Sequence, residues 1–301
     1  MVRLPTTLAA IALLAACGGS EPGAPVDTAT NTDAAAPGVD VNALPIPLPT
    51  STSAAIAGAD IGVRIEALAD DVFEGRAPGS EAGEASARWI AAEMARLGLE
   101  PGGEDGSFLQ PVGMVELTLD ESASGLRFST DAETVMETTL GTDSVIWTKR
   151  QTETPMSFSD SEVVFVGYGV MAPEYGWNDY EGLDVAGKTV VMLVNDPGFA
   201  NPEGDLFKGK AMTYYGRWTY KYEEAARQGA TAAIVIHETA PASYGWDVVS
   251  NSWSGSQADL VRNNAGADRT LLEGWISSEM ASRLFETAGL DFDEMKQAAK
   301  T

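Results

Sequence analysis

Two apolar runs of strand length, residues 189–194 (Thr-Val-Val-Met-Leu-Val) and 231–236, flank a stretch in which Tyr215, Trp218, Tyr222 and Ala225 recur at helical spacing. A strand that is apolar at successive positions, rather than at alternate ones, is one with both faces covered, as in parallel sheets. The order therefore predicts a strand, a crossover helix and a second strand parallel to the first, connected right-handed. The fold class is α/β, or α+β where the remaining strands and helices segregate.

The flanking sequence adds strands before this unit and helices on both sides of it. Val115, Leu117 and Leu119 alternate with Glu116, Thr118 and Asp120, the pattern of a half-buried strand. Further strands are predicted at residues 125–129, 134–140, 145–148 and 163–170. Residues 278–289 read as a capped helix with Met280, Leu284 and Ala288 on one face, and another helical stretch begins at Asp291. Nearer the start, Ile61, Ile65, Leu68 and Val72 fall at helical spacing. A second helix follows the Gly-Arg-Ala-Pro-Gly turn at residues 75–79. Ser80 is its cap, Glu81 and Glu84 favour its positive end, Ile90, Met94 and Leu97 form an apolar stripe, and Gly98 stops it. Two short helices with one apolar face each need a partner surface.

The chain opens with Met1, Val2 and Arg3 and an apolar stretch over residues 8–16, which has the layout of a secretory signal and is too short to span a bilayer. Its end, Leu14-Ala15-Ala16-Cys17-Gly18, resembles the lipobox of bacterial lipoproteins. That resemblance implies a signal peptide over residues 1–16, lipidation of Cys17, and a cell-envelope protein held to a membrane. Gly18 and Gly19 favour the outer membrane. Residues 17–54 are Ala, Pro, Gly, Thr, Asp and Ser with few large apolar side chains, and are expected to form a disordered tether.

With 44 acidic against 19 basic residues and a net charge of −25, the chain is not suited to nucleic acid as a partner. Cys17 is the only cysteine, which leaves no disulfide framework and no thiolate metal cluster. There is no Gly-x-Ser-x-Gly elbow, no second histidine to complete a nucleophilic arrangement, and no phosphate-binding Gly-rich loop. No spacing singles out a carboxylate pair for acid/base work. No catalytic residue and no metal ligand is assigned within these 301 residues.

Two sets of segments carry a family resemblance. Residues 71–80 (Asp-Val-Phe-Glu-Gly-Arg-Ala-Pro-Gly-Ser), followed by Leu97-Gly98-Leu99-Glu100-Pro101 and Phe108-Leu109-Gln110-Pro111-Val112, resemble the N-terminal stretch of di-zinc aminopeptidases of the glutamate-carboxypeptidase-like superfamily. Phe165-Val166-Gly167-Tyr168-Gly169, Asp179-Tyr180, Leu183-Asp184-Val185-Ala186-Gly187-Lys188 and Gly229-Ala230-Thr231-Ala232-Ala233 are similar to the protease-associated domain inserted in the large members. The resemblance implies an N-terminal helical segment of a peptidase domain over residues 55–110 and a β-rich protease-associated domain over 111–301. It further implies peptides as partners and a parent that binds two zinc ions through two histidines and several carboxylates, beginning at a His-x-Asp motif. No His-x-Asp occurs here, and the single histidine, His237, reads as a partly buried, hydrogen-bonded side chain at a strand end. The expectation is a fragment or truncated product, inactive alone, whose missing partner is its own zinc domain. Val72, Phe73, Trp89, Ile90 and Leu97 should then be unusually exposed. The alternative is a free-standing, lipid-anchored module that binds peptides or a protein.

One stretch stands apart from the acidic background. Residues 206–222 hold Lys208, Lys210, Arg217 and Lys221, no acid, and a set of aromatics. If the stretch is helical, Tyr215, Trp218 and Tyr222 form its core stripe while Tyr214, Arg217 and Lys221 form a second, basic face. That face could contact substrate carboxylates or a neighbouring domain, and the family resemblance places a related arginine near Arg217. A solvated surface accounts for the lysines equally well.

Overall fold

A computed structural model of the chain describes residues 7–10, 13–15, 43–50, 52, 55–103, 106–130 and 135–300, the first two segments by their backbone alone. Cys17 and most of the expected tether lie outside the described residues. The chain divides into two compact units, residues 23–114 and residues 1–22 with 115–301.

The smaller unit holds α1 (Gly58–Leu68), a 3-10 turn at Asp71–Phe73 and α2 (Glu81–Arg96). Ser80 caps α2 as expected, its hydroxyl accepting the Gly83 N–H at 2.9 Å. Glu93 of α2 is buried and takes guanidinium groups from Arg96 at 2.6 Å and from Arg64 of α1 at 2.5 Å. Both arginines also donate to the Thr52 hydroxyl. Val72, Ile90 and Leu97 are exposed, as anticipated, but Phe73 and Trp89 are fully buried. The reason for Trp89 is its position on the side of α2 that carries Ala82, Ser86 and Glu93, away from the Ile90, Met94 and Leu97 stripe. Its indole donates to the Ile46 carbonyl at 3.1 Å, so the end of the stretch expected to be a free tether is engaged in this unit.

The larger unit is built on a six-stranded sheet in the order β1-β8-β11-β12-β14-β6. Its strands are β1 (Thr7–Ala10), β6 (Ser144–Trp147), β8 (Ser161–Phe165), β11 (Thr189–Leu193), β12 (Ala232–His237) and β14 (Leu272–Ser277). Among the described residues, four two-stranded ribbons accompany it. They pair β2 (Leu13–Ala15) with β7 (Met156–Phe158), β3 (Met114–Leu117) with β13 (Gln257–Leu260), β4 (Arg127–Ser129) with β5 (Val135–Glu137), and β9 (Met171–Ala172) with β10 (Trp177–Asn178). The helices are α3 (Pro197–Ala200), α4 (Trp218–Arg227), α5 (Thr239–Ala242), α6 (Trp246–Ser252), α7 (Ser278–Thr287) and α8 (Phe292–Ala298). Strands β8, β11, β12 and β14 are parallel, with β1 and β6 antiparallel at the two edges.

The predicted strand–helix–strand unit is β11–α4–β12. Both strands are buried at every position, which explains their unbroken apolar runs. One face of the sheet packs Val163, Val191, Leu193, Ile234 and Ile276 under Met280, Leu284 and Phe285 of α7 and Phe292 of α8. The other packs Val190, Met192, Ala233, Val235 and Trp275 under Tyr222 and Ala225 of α4 and Val249 of α6. Each such aliphatic side chain contributes about 1.5–3 kcal/mol on burial. The parallel strands follow one another across the sheet in chain order. They therefore lack the reversal of order at which open α/β sheets form a ligand crevice. Among the described residues no helix is long and apolar enough to cross a membrane.

Candidate functional site at the carboxyl ends of β11 and β12

Beyond β11 the chain turns through Asn195 and Asp196, both buried. Asn195 has φ of 69°, in the left-handed region that asparagine adopts more readily than most residues. Its side-chain oxygen accepts the Asp196 N–H at 2.8 Å, and its amide donates to the Pro241 carbonyl at 2.8 Å in the segment after β12. The Asp196 carboxylate accepts from the Gly198 N–H at 3.1 Å and from the Thr213 N–H and hydroxyl at 3.0 and 2.6 Å. Three donors compensate a fully buried carboxylate for lost hydration. Gly216 is pressed against the same turn, where a methyl group would come within 3.0 Å of the Asn195 side-chain oxygen and 2.8 Å of Met212 Cγ.

These contacts decide the shape of the basic segment. The expected helix through Tyr215 is not formed. Tyr214–Gly216 is a separate 3-10 turn, Arg217 is extended (φ −71°, ψ 137°), and α4 starts at Trp218. The expected shared face of Tyr214, Arg217 and Lys221 is therefore corrected. Arg217 is exposed, with no ion pair among the described residues, at the start of a helix that no side chain caps. Tyr214 is exposed and donates its hydroxyl to Glu223 at 3.1 Å. Lys221 is fully buried, on the side of α4 that also carries Tyr222 and Ala225. Its ammonium donates to the Tyr168 carbonyl. Burial lowers its pKa to about 7 against the opposing pull of Asp179 and Asp196. Trp218, expected in the core stripe, is half-buried and meets Trp147, Tyr222 and Trp253 at ring distances of 6.4, 6.0 and 5.6 Å. Lys208 and Lys210 are exposed.

The segment after β12 carries Tyr244. Burial raises the ionisation of this phenol, and the nearby Arg217 charge pulls it back down. Tyr244 also holds the only histidine: His237 Nε2 lies 3.0 Å from the Tyr244 carbonyl. A carbonyl only accepts, so Nε2 carries the proton. The ring packs among Tyr244, Trp246 and Trp275, and burial lowers its pKa despite that bond. His237 is thus the buried, hydrogen-bonded residue anticipated from its place at a strand end. One engaged imidazole does not fit the two-histidine, two-zinc centre that the resemblance implies for the parent, and among the described residues no group of three or more His, Cys, Asp or Glu side chains could hold a metal ion.

The arrangement offers an exposed guanidinium at an uncapped helix start. The planar guanidinium fork matches a carboxylate, and the helix N-terminus adds positive potential to it. Sequence reasoning singled out Arg217 but not Asn195, Asp196, Thr213, Gly216 or Tyr244. Asn-Asp-Pro-Gly at residues 195–198, directly after an apolar strand, is a turn signal that could have located the first two. Nothing local marks Thr213 or Tyr244.

No protein-family model and no curated protein matches the chain. Among solved structures it is similar to an aminopeptidase from Aneurinibacillus sp. strain AM-1, at 16% identity over 73% of this chain and 41% of that one, with a TM-score of 0.31. The chain thus spans about two fifths of that protein's length, and a superposition this loose establishes neither a common fold nor a common site.

Proposed function

We propose that this chain is the substrate-side, non-catalytic portion of an exported, zinc-dependent exopeptidase of the aminopeptidase/carboxypeptidase type, anchored to the cell envelope through a lipid on Cys17. The quoted motifs at residues 71–80, 165–169 and 183–188 support the family, and the single, engaged histidine supports the absence of the zinc-binding part from these residues. The observation that carries the reading is Arg217. It is exposed and without an ion pair among the described residues, in a 17-residue acid-free stretch of a chain with 44 acidic residues. A cation left unpaired against that background is suited to receive the free α-carboxylate of a peptide.

The test is binding of the tripeptide Ala-Ala-Phe, as the free acid and as the C-terminal amide, followed through tryptophan fluorescence. The acid is expected to bind at least about tenfold more tightly than the amide, the worth of one charge-assisted contact. Arg217→Ala should erase that preference without changing the thermal midpoint. Equal affinity of acid and amide for the wild-type chain would remove the carboxylate-binding role.

A second reading, a free-standing peptide-binding module, is favoured by the sheet of the larger unit, which is covered on both faces by elements of its own. It shares the Arg217 site and differs in having no zinc domain to serve.

A further inference from the structure

β1 (Thr7–Ala10) is the outermost strand of the six-stranded sheet, antiparallel to β8 with Leu8 opposite Val163 and Ala10 opposite Ser161. β2 continues along β7 in the same register, Leu13 opposite Phe158 and Ala15 opposite Met156, so residues 7–15 and 156–164 pass each other without an insertion on either side. β1 also lies against β4, although the two belong to different sheets. It therefore fills a slot with β8 on one side and β4 on the other, where Val163 and Phe128 belong to one buried apolar cluster.

Removal of residues 1–16, which anchoring at Cys17 requires, empties this slot. β8 stays in place without them, because its other side is fixed. Val163 and Val164 pair with Thr189 and Val190 of β11, the Ser161 hydroxyl lies 2.8 Å from that of Thr189, and Glu162 pairs with Lys188 at 2.9 Å. The Val166 N–H donates to the Val191 carbonyl at 3.0 Å. By the alternation of a strand, Val164 and Glu162 also turn their main-chain groups to β11, while Val163 and Ser161 turn theirs to the vacated edge. Unpaired main-chain groups on a fixed edge are a template for a further strand.

We propose that the chain starting at Cys17 receives an extended, uncharged peptide as a strand antiparallel to β8, in the slot between β8 and β4 that residues 7–10 fill. The proposal rests on the removal of residues 1–16, and it deepens the reading of peptides as partners by naming a main-chain receptor that does not need Arg217. The seated segment defines the ligand, since residues 7–15 are Ala, Leu, Ile and Thr, with no charge, proline or glycine. A second copy of the chain is a poorer occupant. Two β8 strands side by side would bring Asp160 and Glu162 of both copies together, in chains that each carry a net charge of −25.

The probe is a fluorescein-labelled peptide amide, Thr-Leu-Ala-Ala-Ile-Ala-Leu-Leu-Ala followed by two lysines for solubility. It is titrated by fluorescence anisotropy against the full chain extracted from membranes, with empty detergent micelles as the blank. The amide keeps the proposed carboxylate contact of Arg217 out of the measurement. Two N-methylated isomers are compared, one modified at the residues matching Leu8 and Ala10, the other at those matching Ala9 and Ile11. The first loses the donors aimed at Val163 and Ser161 and is expected to bind at least about tenfold more weakly than the parent, while the second stays within about threefold. The unprocessed Cys17→Ser precursor, whose own residues 7–10 occupy the slot, is expected not to bind. No binding by a chain whose intact mass starts at the lipidated Cys17 overturns the proposal, as do equal affinities of the two methylated isomers. A precursor that binds as well as the processed chain, or a dimer of the processed chain that excludes the peptide, overturns it too. An extracted chain whose mass still includes residues 1–16 refutes the anchored reading and takes the proposal with it, so the mass separates the two failures.

Discussion

Ile234 and Ile236 of β12 are wholly buried, whereas Ile61 and Ile65 of α1 each expose more than half of their surface. The sheet of the larger unit is sandwiched between two sets of helices, and its apolar side chains stabilise it in the ordinary way. In the smaller unit α1 has no buried residue at all, and a named tie to α2 is polar, the pair of Arg64 with Glu93. A helix of 11 residues with an uncovered apolar face is marginal in water. The difference teaches that apolar periodicity alone does not locate the core. Ile61 and Ile65 obey the helical pattern as well as any residue in the chain, yet the side chains that secure the smaller unit are Phe73 and Trp89.

Breaking the better-covered unit should have the largest effect. Ile234→Ala is expected to lower the stability of the sheet unit by about 2–5 kcal/mol, measured by urea denaturation with a probe in β12. A loss under about 1 kcal/mol would mean that the core around Ile234 is far looser than its burial indicates.

Lys221 sharpens the comparison from inside the same unit, because its amine is buried at a cost the surface lysines do not carry. In the unfolded chain the amine ionises near 10.5 and in the folded chain near 7, so between these values the unfolded state binds the extra proton. Stability therefore rises with pH from about 7 toward 10, and the full penalty of the buried charge is present below about 7. The span is on the order of a few kcal/mol, with Asp179 and Asp196 offsetting part of it. Lys221→Met should abolish the rise and stabilise the protein at pH 6, as followed by thermal denaturation at pH 6, 8 and 9.5. A wild-type curve that is flat over this range, or one that keeps its slope in Lys221→Met, would assign the pH dependence elsewhere.

At the small end of the scale, Ile65→Ser should change stability by no more than about 0.5 kcal/mol, as for a surface substitution. A loss of 2 kcal/mol or more would show that the face carrying Ile65 is covered in solution, and the contrast between the units would close.

Much of the larger unit was legible because its signals are local. Unbroken apolar runs mark β11 and β12, and Ser277 caps α7 where residues 278–289 read as a helix, its hydroxyl accepting the Met280 N–H at 3.1 Å. Ser80 and Gly98 likewise bound α2 where the sequence puts its ends. What escaped the reading depends on partners far along the chain. Lys221 reads as a surface cation because its acceptor, the Tyr168 carbonyl, is 53 residues away. The helical count through Tyr215 fails because Thr213 is tied to Asp196, 17 residues earlier, and this tie sets a separate turn before α4. The indole of Trp89 donates to the Ile46 carbonyl, 43 residues earlier, in a stretch whose composition resembles a free tether. In the candidate site, Arg217 was legible as a cation without neighbouring acid, while the Asn195–Asp196 turn that seats the residues before it was not.

The central claim, that these residues form part of an anchored zinc exopeptidase, is tested most directly on the native protein extracted from membranes, by intact mass and metal content. The account predicts a polypeptide that begins at a diacylated Cys17 and so lacks β1 and β2, leaving β8 as the edge of the sheet; it extends past Thr301 and carries two zinc ions per chain. A lipidated chain that ends at Thr301 and carries no zinc would contradict it and leave the peptide-binding module in its place.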